Sequence, residues 1–368
     1  MALNKVGLER LNTATTKKIG TNKNLIINGS MQVAQRGTPT ASGSYTTAAY
    51  GSCDRWKLEA NSTDQAAFVI SQESDAPTGS GFSNSIKIKT NTAETTLDSN
   101  EILHLSQPIE AQDLQHLKNG TSSALSITLS FWVKSYQTGT FVVTVYKPDN
   151  TQRIISATYT ISASNTWEFK TMTFSGDTSG SGIANDTGTG FQIYWILAAG
   201  STFTGTTNTS WANYSNGGFA NGQAVNIMSS TDNYYYLTGV QLEVGSVATD
   251  FEHRKFAQEL TLCQRYYTRL TGGGGNQLHF TGSTKQQQYV SCSRVELPTT
   301  MRAAPSISFT GTRDILNYSN DNSGFSGDVI DVDSFNVRWG SSATIGDGTA
   351  YTAALTGNPN FVECSSEL

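Results

Sequence analysis

The chain has 368 residues, a formal net charge of −5 and only 14% charged residues. This length is enough for two or three domains, and the slight negative charge offers no basic surface for nucleic acid. The low charge, together with 34 Gly, 15 Tyr and 16 Phe, is typical of an all-β protein with many turns and large core side chains rather than of a disordered chain.

The sequence contains no candidate membrane segment. The longest apolar run, residues 191–199, is far shorter than the ~20 residues that a spanning helix needs, and it is typical of a doubly buried strand. The N-terminal sequence Met1–Lys5 lacks the apolar core of a signal peptide. We therefore expect no membrane insertion and expect synthesis in a cytoplasm.

Residues 1–23 are polar, and their apolar residues are too sparse to form a core. Two interpretations remain open for this segment: an attachment arm that becomes ordered against a partner, or a frayed terminus.

From residue 24 to residue 252 the sequence has the pattern of β-strands. Short runs with alternating apolar residues are separated by turn clusters, and Lys147–Asn150 is expected to close a hairpin. Without helical patterns between them, such strands predict a two-sheet sandwich of jelly-roll type. The clearest predicted strands are residues 86–89, 125–133, 140–146, 154–161, 167–174, 191–197 and 234–244.

Several aromatic residues lie within these strand patterns. Trp132, Trp167 and Trp195 are predicted to be core residues. In the run Tyr234–Tyr236, the alternation of a strand predicts that Tyr235 faces away from its two neighbours.

The best candidate for a functional loop is the segment 200–231, which is rich in Ser, Thr, Asn and Gly. It contains Trp211, Asn213 and Tyr214, and such a combination of aromatic and amide side chains suits carbohydrate binding. The alternative is that Trp211 is a core residue that anchors the loop.

A helical period begins near Arg254 and continues to residue 270. Residues 253–275 are therefore predicted to form a helix followed by a flexible joint at Gly272–Gly275. The helix could contribute an oligomer seam, or it could lie on a sheet of its own chain. The apolar positions, spaced 4, 3, 4 and 3 residues apart, are Phe256, Leu260, Cys263, Tyr267 and Leu270.

Residues 276–368 return to β patterns and predict a smaller C-terminal β domain. The predicted strands there are residues 278–280, 289–297, 306–310 and 334–339.

The sequence has no recognisable catalytic or metal-binding motif. We predict no enzyme activity, no metal site and no cofactor, although paired acids of the glycosidase type assemble in space and leave no sequence signature. The cysteines lack C-x-x-C spacing and are expected to be buried free thiols: Cys53, Cys263, Cys292 and Cys364.

Several segments resemble the jelly-roll module of bacteriophage tail-fibre and receptor-binding virion proteins, which is itself similar to the family four and nine carbohydrate-binding modules. The resemblance covers roughly residues 24–270. The segments that carry it are Asn24–Gln32, Asp54–Trp56, Ser130–Ser135, Leu237–Gly245, Val240–His253 and Glu259–Tyr267.

One departure from the resembled pattern concerns calcium. Jelly-roll carbohydrate modules often carry paired acids before the final strand that help to hold a structural Ca²⁺. This chain has Thr238 and Gly239 in that place, so the resemblance does not imply a metal here; Asp232 and Asn233 are the alternative oxygen ligands.

The resemblance implies a homotrimeric virion fibre, attached to the phage tail or other virion proteins by its N-terminal arm and contacting host-surface glycan. A structural decoration or head fibre without glycan binding, and a polysaccharide depolymerase, are the two alternatives.

Overall fold

The computed structural model describes residues 22–37, 49–61, 66–205, 208–271, 278–285, 289–316, 325–328, 330–340 and 350–368. The predicted arm at residues 1–23 lies almost wholly outside these ranges, as does the predicted joint at Gly272–Gly275. In the described part of the chain, no helix is long and apolar enough to cross a membrane.

The first two sheets form an antiparallel jelly-roll sandwich, which confirms the predicted fold class. The strands are β1 (Ala49–Tyr50), β2 (Lys57–Asn61), β3 (Ala67–Glu73), β4 (Ser85–Thr92), β5 (Ile102–Glu110), β6 (Ile127–Ser135), β7 (Gly139–Lys147), β8 (Arg153–Ile161), β9 (Glu168–Phe174), β10 (Thr189–Ala199), β11 (Ala212–Asn213) and β12 (Tyr234–Val244). One sheet has the order β1-β2-β5-β10-β7-β8-β11, and the other has the order β3-β4-β12-β6-β9. Short 3-10 helices lie at Ala111–Leu117, Ser201–Phe203, Asn216–Gly218 and Ile227–Ser229.

Alternate side chains of the two sheets interdigitate to form the main core. The rings of Phe131 on β6 and Trp195 on β10 meet edge to face at 5.9 Å between centroids. The hydroxyls of Tyr159 and Tyr235, which are also on opposite sheets, are 2.8 Å apart and satisfy each other inside this core. Trp195 is therefore a core residue, as predicted.

The segment that precedes β1 completes the five-stranded sheet beside the second half of β12. Its backbone exchanges hydrogen bonds with that strand, from Leu25 N to Leu242 O at 2.8 Å and from Val240 N to Gly29 O at 2.9 Å. The Asn24 side chain donates to Val240 O at 3.0 Å and accepts from Leu242 N at 3.0 Å. These bonds satisfy polar groups of β12 that β4 does not reach.

The helix α1 spans Phe256–Gln264, so the predicted helix over residues 254–270 is wrong beyond Gln264. The chain enters strand β13 (Tyr267–Thr271) instead, because these residues pair with the C-terminal strand of the chain, for example Leu270 with Val362. Tyr267 and Leu270 are therefore not part of a helical stripe.

The remaining members of the predicted seam have different environments. Phe256 is 55% exposed, Leu260 is half-buried, and Cys263 is completely buried. Because the five residues do not share one helix face, the structure provides no continuous seam, and association through these residues stays a prediction.

The C-terminal domain is a third antiparallel sheet. Its further strands are β14 (Leu278–Lys285), β15 (Tyr289–Glu296), β16 (Ser306–Leu316), β17 (Phe325–Asp328), β18 (Ser334–Gly340) and β19 (Ala350–Ser365). Strand β19 runs the length of the sheet, with β16 on one side and β13 and β14 sharing the other. The core of this domain includes Phe280, Met301, Phe335, Leu355 and Val362.

Three of the cysteines, Cys53, Cys263 and Cys364, are buried free thiols, as predicted. The side chain of Cys292 lies outside the described residues. Burial raises the pKa of all three described thiols, which therefore remain protonated.

A buried polar junction joins the sandwich to the C-terminal domain. The Arg55 guanidinium is 1% exposed, pairs with the Glu367 carboxylate, and donates to Pro108 O at 2.8 Å. It also lies 3.4 Å from the centre of the Tyr266 ring, in a cation–π contact. The backbone of the last residues is held as well, because Tyr50 donates to Leu368 O at 2.6 Å.

We predict that Arg55→Met will destabilise the protein, because the buried Glu367 carboxylate then keeps only its second cation, the Arg36 guanidinium at 3.2 Å. Removing one partner of a buried pair costs up to roughly 3–5 kcal/mol of the free energy of unfolding when no other cation remains, so we expect a loss of about 2–3 kcal/mol. Urea denaturation measures the loss. The control is Arg294→Met, since Arg294 is 55% exposed and bonds Asp333 at 3.0 Å on the surface; that change should cost at most about 1 kcal/mol. Equal losses in the two variants would contradict a stabilising role for the junction.

A second prediction concerns Asp54, whose carboxylate accepts from the backbone N of Gln35 at 3.1 Å and lies 3.7 Å from the Arg36 guanidinium. Burial outweighs these partners and raises the pKa of Asp54 to about 6. The folded pKa exceeds the unfolded one, so the cost of the buried charge is fully present above the folded pKa, begins to fall as the pH drops through it, and is gone below the unfolded pKa.

Wild type should therefore gain roughly 1–2 kcal/mol relative to Asp54→Asn between about pH 7 and about pH 5. The free energy of unfolding of both proteins is measured at a series of pH values. The other titrating groups are common to both proteins, so their effects cancel in the difference. A difference between them that does not change with pH would show that Asp54 titrates normally.

Candidate functional site

The two outer faces of the sandwich differ in how much of them is covered. On the seven-stranded sheet of the sandwich, Val142, Tyr194 and Ile196 are buried beneath residues 200–205 and 208–222, which contribute Phe219 to the same cluster. Thr144 of β7 donates to Phe219 O at 2.6 Å and fixes this cover. The predicted functional loop therefore closes one face of the sandwich, and the five-stranded sheet is the one with exposed aromatic rings on its outer side.

The central strand β12 directs aromatic side chains to that outer side. Tyr235 is fully buried in the core, which confirms the predicted alternation. Tyr236 faces outward and pairs across the sheet with Lys87 of β4 and Lys134 of β6. The Lys134 ammonium lies 4.4 Å from the centre of the Tyr236 ring.

The next row on this face contains Trp132 of β6 and Phe169 of β9 as a directly opposed pair. Their ring centroids are 5.3 Å apart, and their planes are inclined at 48°. Phe169 is 47% exposed, because β9 is the edge strand of the sheet.

The prediction that Trp132 and Trp167 are core residues is therefore wrong. Both are half-buried. Trp132 lies on the outer surface because Phe131 and Val133 occupy the inward positions of β6, and Trp167, which precedes β9, contacts the outward-facing Tyr236 ring. Only Phe131, Trp132 and Val133 are consecutive apolar residues in β6, and Thr128, Ser130 and Lys134 share the face of Trp132. The signal was Ser130 and Lys134, the polar residues two positions away on either side.

A pocket of about 430 Å³ opens above this row, between the loops 74–84 and 245–253. We call it the aromatic pocket. Its walls contain the side chains of three Phe, one Trp and one His, together with hydroxyl and carboxylate groups. Its lining residues are Ser80, Phe82, Ser130, Trp132, Phe169, Gly239, Ala248, Thr249, Asp250, Phe251 and His253.

Gly239 forms part of the floor of the aromatic pocket and has a φ of +60°. A Cβ atom there would lie 2.7 Å from the Phe82 ring and 3.1 Å from the Trp132 ring. Glycine is thus required twice, for the left-handed backbone and for the close approach of these two rings.

The loop 245–253 is held in place by buried polar groups of β12. Glu243 accepts from the backbone N of Thr249 at 2.8 Å and from its hydroxyl at 2.6 Å. Gln241 accepts from the backbone N of Glu252 at 2.8 Å. The pocket wall that carries Phe251 and His253 is therefore positioned before any ligand binds.

The structure does not bring the predicted sugar-binding residues together. The Trp211 ring stacks on Phe191 at 5.8 Å, and its indole N–H donates to Ser175 O at 2.6 Å. The Tyr214 ring belongs to the separate cluster with Tyr146, 5.2 Å away.

The third predicted residue of that loop, Asn213, is exposed and accepts from the Arg153 guanidinium at 2.9 Å. Sugar contact through Trp211, Asn213 and Tyr214 stays a prediction. The geometry favours the aromatic pocket instead, because there the rings converge on one space.

In the described part of the chain, no group of three His, Cys, Asp or Glu side chains is arranged to hold a metal ion. Asn233, one of the alternative calcium ligands, uses its amide to donate to Ile227 O at 3.0 Å.

No protein-family model and no curated protein matches this chain. Among solved structures, the enzymatically active domain of tailspike protein 4 from bacteriophage CBA120 aligns at 14% identity with a TM-score of 0.32, over 61% of this chain and 22% of that one. This chain therefore spans about a fifth of the tailspike domain.

Carbohydrate-binding modules with jelly-roll folds also resemble the chain. A family 4 module aligns at 12% identity and a TM-score of 0.31, over 59% of this chain and 98% of the module. The CBM22-1 xylan-binding domain from Paenibacillus barcinonensis aligns at 9% identity and a TM-score of 0.29, over 61% of this chain and 96% of that domain.

Proposed function

We propose that this protein binds carbohydrate and that a sugar occupies the aromatic pocket. The observation that supports this most directly is the Trp132–Phe169 pair, half-buried and exposed respectively, at the base of a pocket of about 430 Å³ with a polar rim. A volume of this size falls within the range of small-ligand sites.

The chemistry of the pocket suits a sugar ring. The C–H-rich face of a pyranose can lie on the electron-rich face of Trp132 or Phe169. Its hydroxyl groups can exchange hydrogen bonds with Ser80, Asp250 and His253 at the rim. Such a site binds an uncharged polyol without a metal ion.

The proposal extends to a phage virion fibre protein that is attached to the tail by residues 1–23 and binds host-surface glycan as a homotrimer without enzymatic activity. It is supported by the resemblance of segments such as Val240–His253 to tail-fibre proteins. A virion decoration without glycan affinity would leave the aromatic pocket without a sugar ligand. A depolymerase would release reducing ends from the polysaccharide that it binds.

We predict that Phe169→Ala and Trp132→Ala will each weaken glycan binding about ten- to a hundredfold, since burying one aromatic contact is worth roughly 1–3 kcal/mol. A glycan array identifies the ligand, and isothermal titration calorimetry measures its affinity for each protein. The same titrations, followed by a reducing-end assay, test for hydrolysis.

The matched control is Tyr136→Ala. Tyr136 and Phe169 are each 47% exposed, but Tyr136 lies outside the aromatic pocket. If Tyr136→Ala weakened binding as much as Phe169→Ala, the pocket would not be the site. If no glycan bound, the decoration alternative would be preferred.

A separate prediction tests the proposed trimer. Phe256 is 55% exposed at the start of α1, so Phe256→Asp should leave the fold of each chain intact. If Phe256 lies in a subunit interface, burying the new carboxylate is unfavourable and the variant should dissociate. Light scattering gives the molar mass of both proteins. A wild-type monomer at micromolar concentration would contradict the trimer.

A further inference from the structure

Next to the aromatic pocket, the outer face of the sheet beyond Trp132 carries an ion pair between a buried lysine and a partly exposed aspartate. Asp75, in the loop 74–84, pairs with the Lys134 ammonium and accepts from the Trp167 indole N–H at 3.0 Å. The Lys134 side chain is 8% exposed and also lies 5.3 Å from the centre of the Trp167 ring. We call this group, Asp75 with Lys134 and Trp167, the polar wall.

The polar wall stands in the row of side chains directly next to Trp132. Lys134 follows Trp132 by two residues on β6, which corresponds to about 7 Å along a strand. A sugar ring that lies on Trp132 therefore meets the ion pair at its next position in this direction. The exposed ring of Tyr136 is two residues further along the chain, beyond the wall.

The polar wall is held by further hydrogen bonds in the loop 74–84, in addition to the contact between Asp75 and Lys134. Ser85 donates to Asp75 O at 2.5 Å, and Ser80 donates to Pro77 O at 2.5 Å within the same loop. Partial burial disfavours the ionised form of Asp75, but the hydrogen bonds from Lys134 and Trp167 prevail and hold the pKa of this carboxyl below its usual value.

A second side of the pocket is closed where its two loops meet. The Phe82 ring contacts Phe251 edge to face at 4.8 Å and lies 5.3 Å from the His253 ring. The sheet itself forms the floor, with Gly239 and Trp132. The side over Phe169 remains open, because β9 has β6 as its one partner strand in the described sheet.

From this geometry we infer that the pocket receives the end of a glycan chain, or a short branch, and not the middle of a long chain. Asp75 is then a residue that determines specificity, because it blocks the path that a longer glycan chain would take along the sheet beyond Trp132. This inference rests on the proposed function, and it adds that one or two terminal sugars make most of the contacts.

The experiment compares mono-, di-, tri- and tetrasaccharides that share the terminal sugar of the glycan selected on the array. For wild type, the affinity should stop rising after the disaccharide, with about threefold further change at most. In an open groove, by contrast, each added contact worth about 1.4 kcal/mol would raise affinity tenfold. A continued rise up to the tetrasaccharide would overturn the inference.

A second measurement uses the corresponding polysaccharide before and after mild partial hydrolysis. Recognition of chain ends predicts that calorimetric binding sites per gram increase in proportion to the number of ends. Sites per gram that stay constant, or that fall, would overturn the inference.

Variants test the wall directly. Asp75→Ala and Lys134→Met each remove the ion pair, so one can replace the other if either variant folds poorly. Both should allow longer chains to gain affinity over the disaccharide, unlike Asp232→Ala, which removes an exposed carboxylate away from the pocket. If neither folded variant changed the length dependence, the wall would not determine specificity.

Phe169→Ala separates this inference from the proposed function. If Phe169→Ala weakens binding but affinity still rises with chain length, the pocket binds sugar and the inference alone is wrong. If Phe169→Ala has no effect, or no glycan binds, the proposed function fails and this inference fails with it.

Discussion

The rest of the candidate site depends on a β-bulge in the central strand β12. Between Thr238 and Gln241 this strand advances three residues, while its partner β6 advances two, from Trp132 to Ser130. The extra residue switches the alternation, so that Tyr235 and Leu237 before the bulge and Val240 and Leu242 after it are all buried in the core. Bulges of this kind redirect side chains and are common next to functional sites.

The same bulge explains why a pocket exists at this place. It leaves Gly239 on the outer side without a side chain, and Phe82 and Trp132 approach the backbone there. After the bulge, Gln241 and Glu243 face outward and are buried by the loop 245–253, which they hold through hydrogen bonds. One irregularity thus creates both the floor and one wall of the aromatic pocket.

Much of the fold could be predicted from the sequence, because strand alternation and turn residues are local signals. Strands β7 and β8 around Lys147–Asn150 are an example. Strand β5 was missed because all nine of its residues are buried, so that it shows no alternation. Strand β19 was missed as well, because Gly357, Asn358 and Pro359 read as a turn within it.

The candidate site was harder to predict, because it depends on contacts between distant segments. The sequence indicates that Trp211 lies in a long polar loop, but not that this loop covers the other sheet and that the indole bonds Ser175 O. Ser130 and Lys134 assign the Trp132 ring to the outer face, but no local signal shows which side chains it meets there. The tertiary pairing of Trp132 with Phe169 and the approach of Phe82 are what define the pocket.

The most direct test of the account is fluorine NMR of protein labelled with 5-fluorotryptophan, titrated with the glycan selected on the array. Single Trp→Phe variants assign the resonances of Trp132, Trp167 and Trp211. The account predicts that the glycan shifts the resonance of Trp132 and leaves that of Trp211 in place. A shift of Trp211 with Trp132 unchanged would contradict it and would place sugar binding at the loop that carries Trp211.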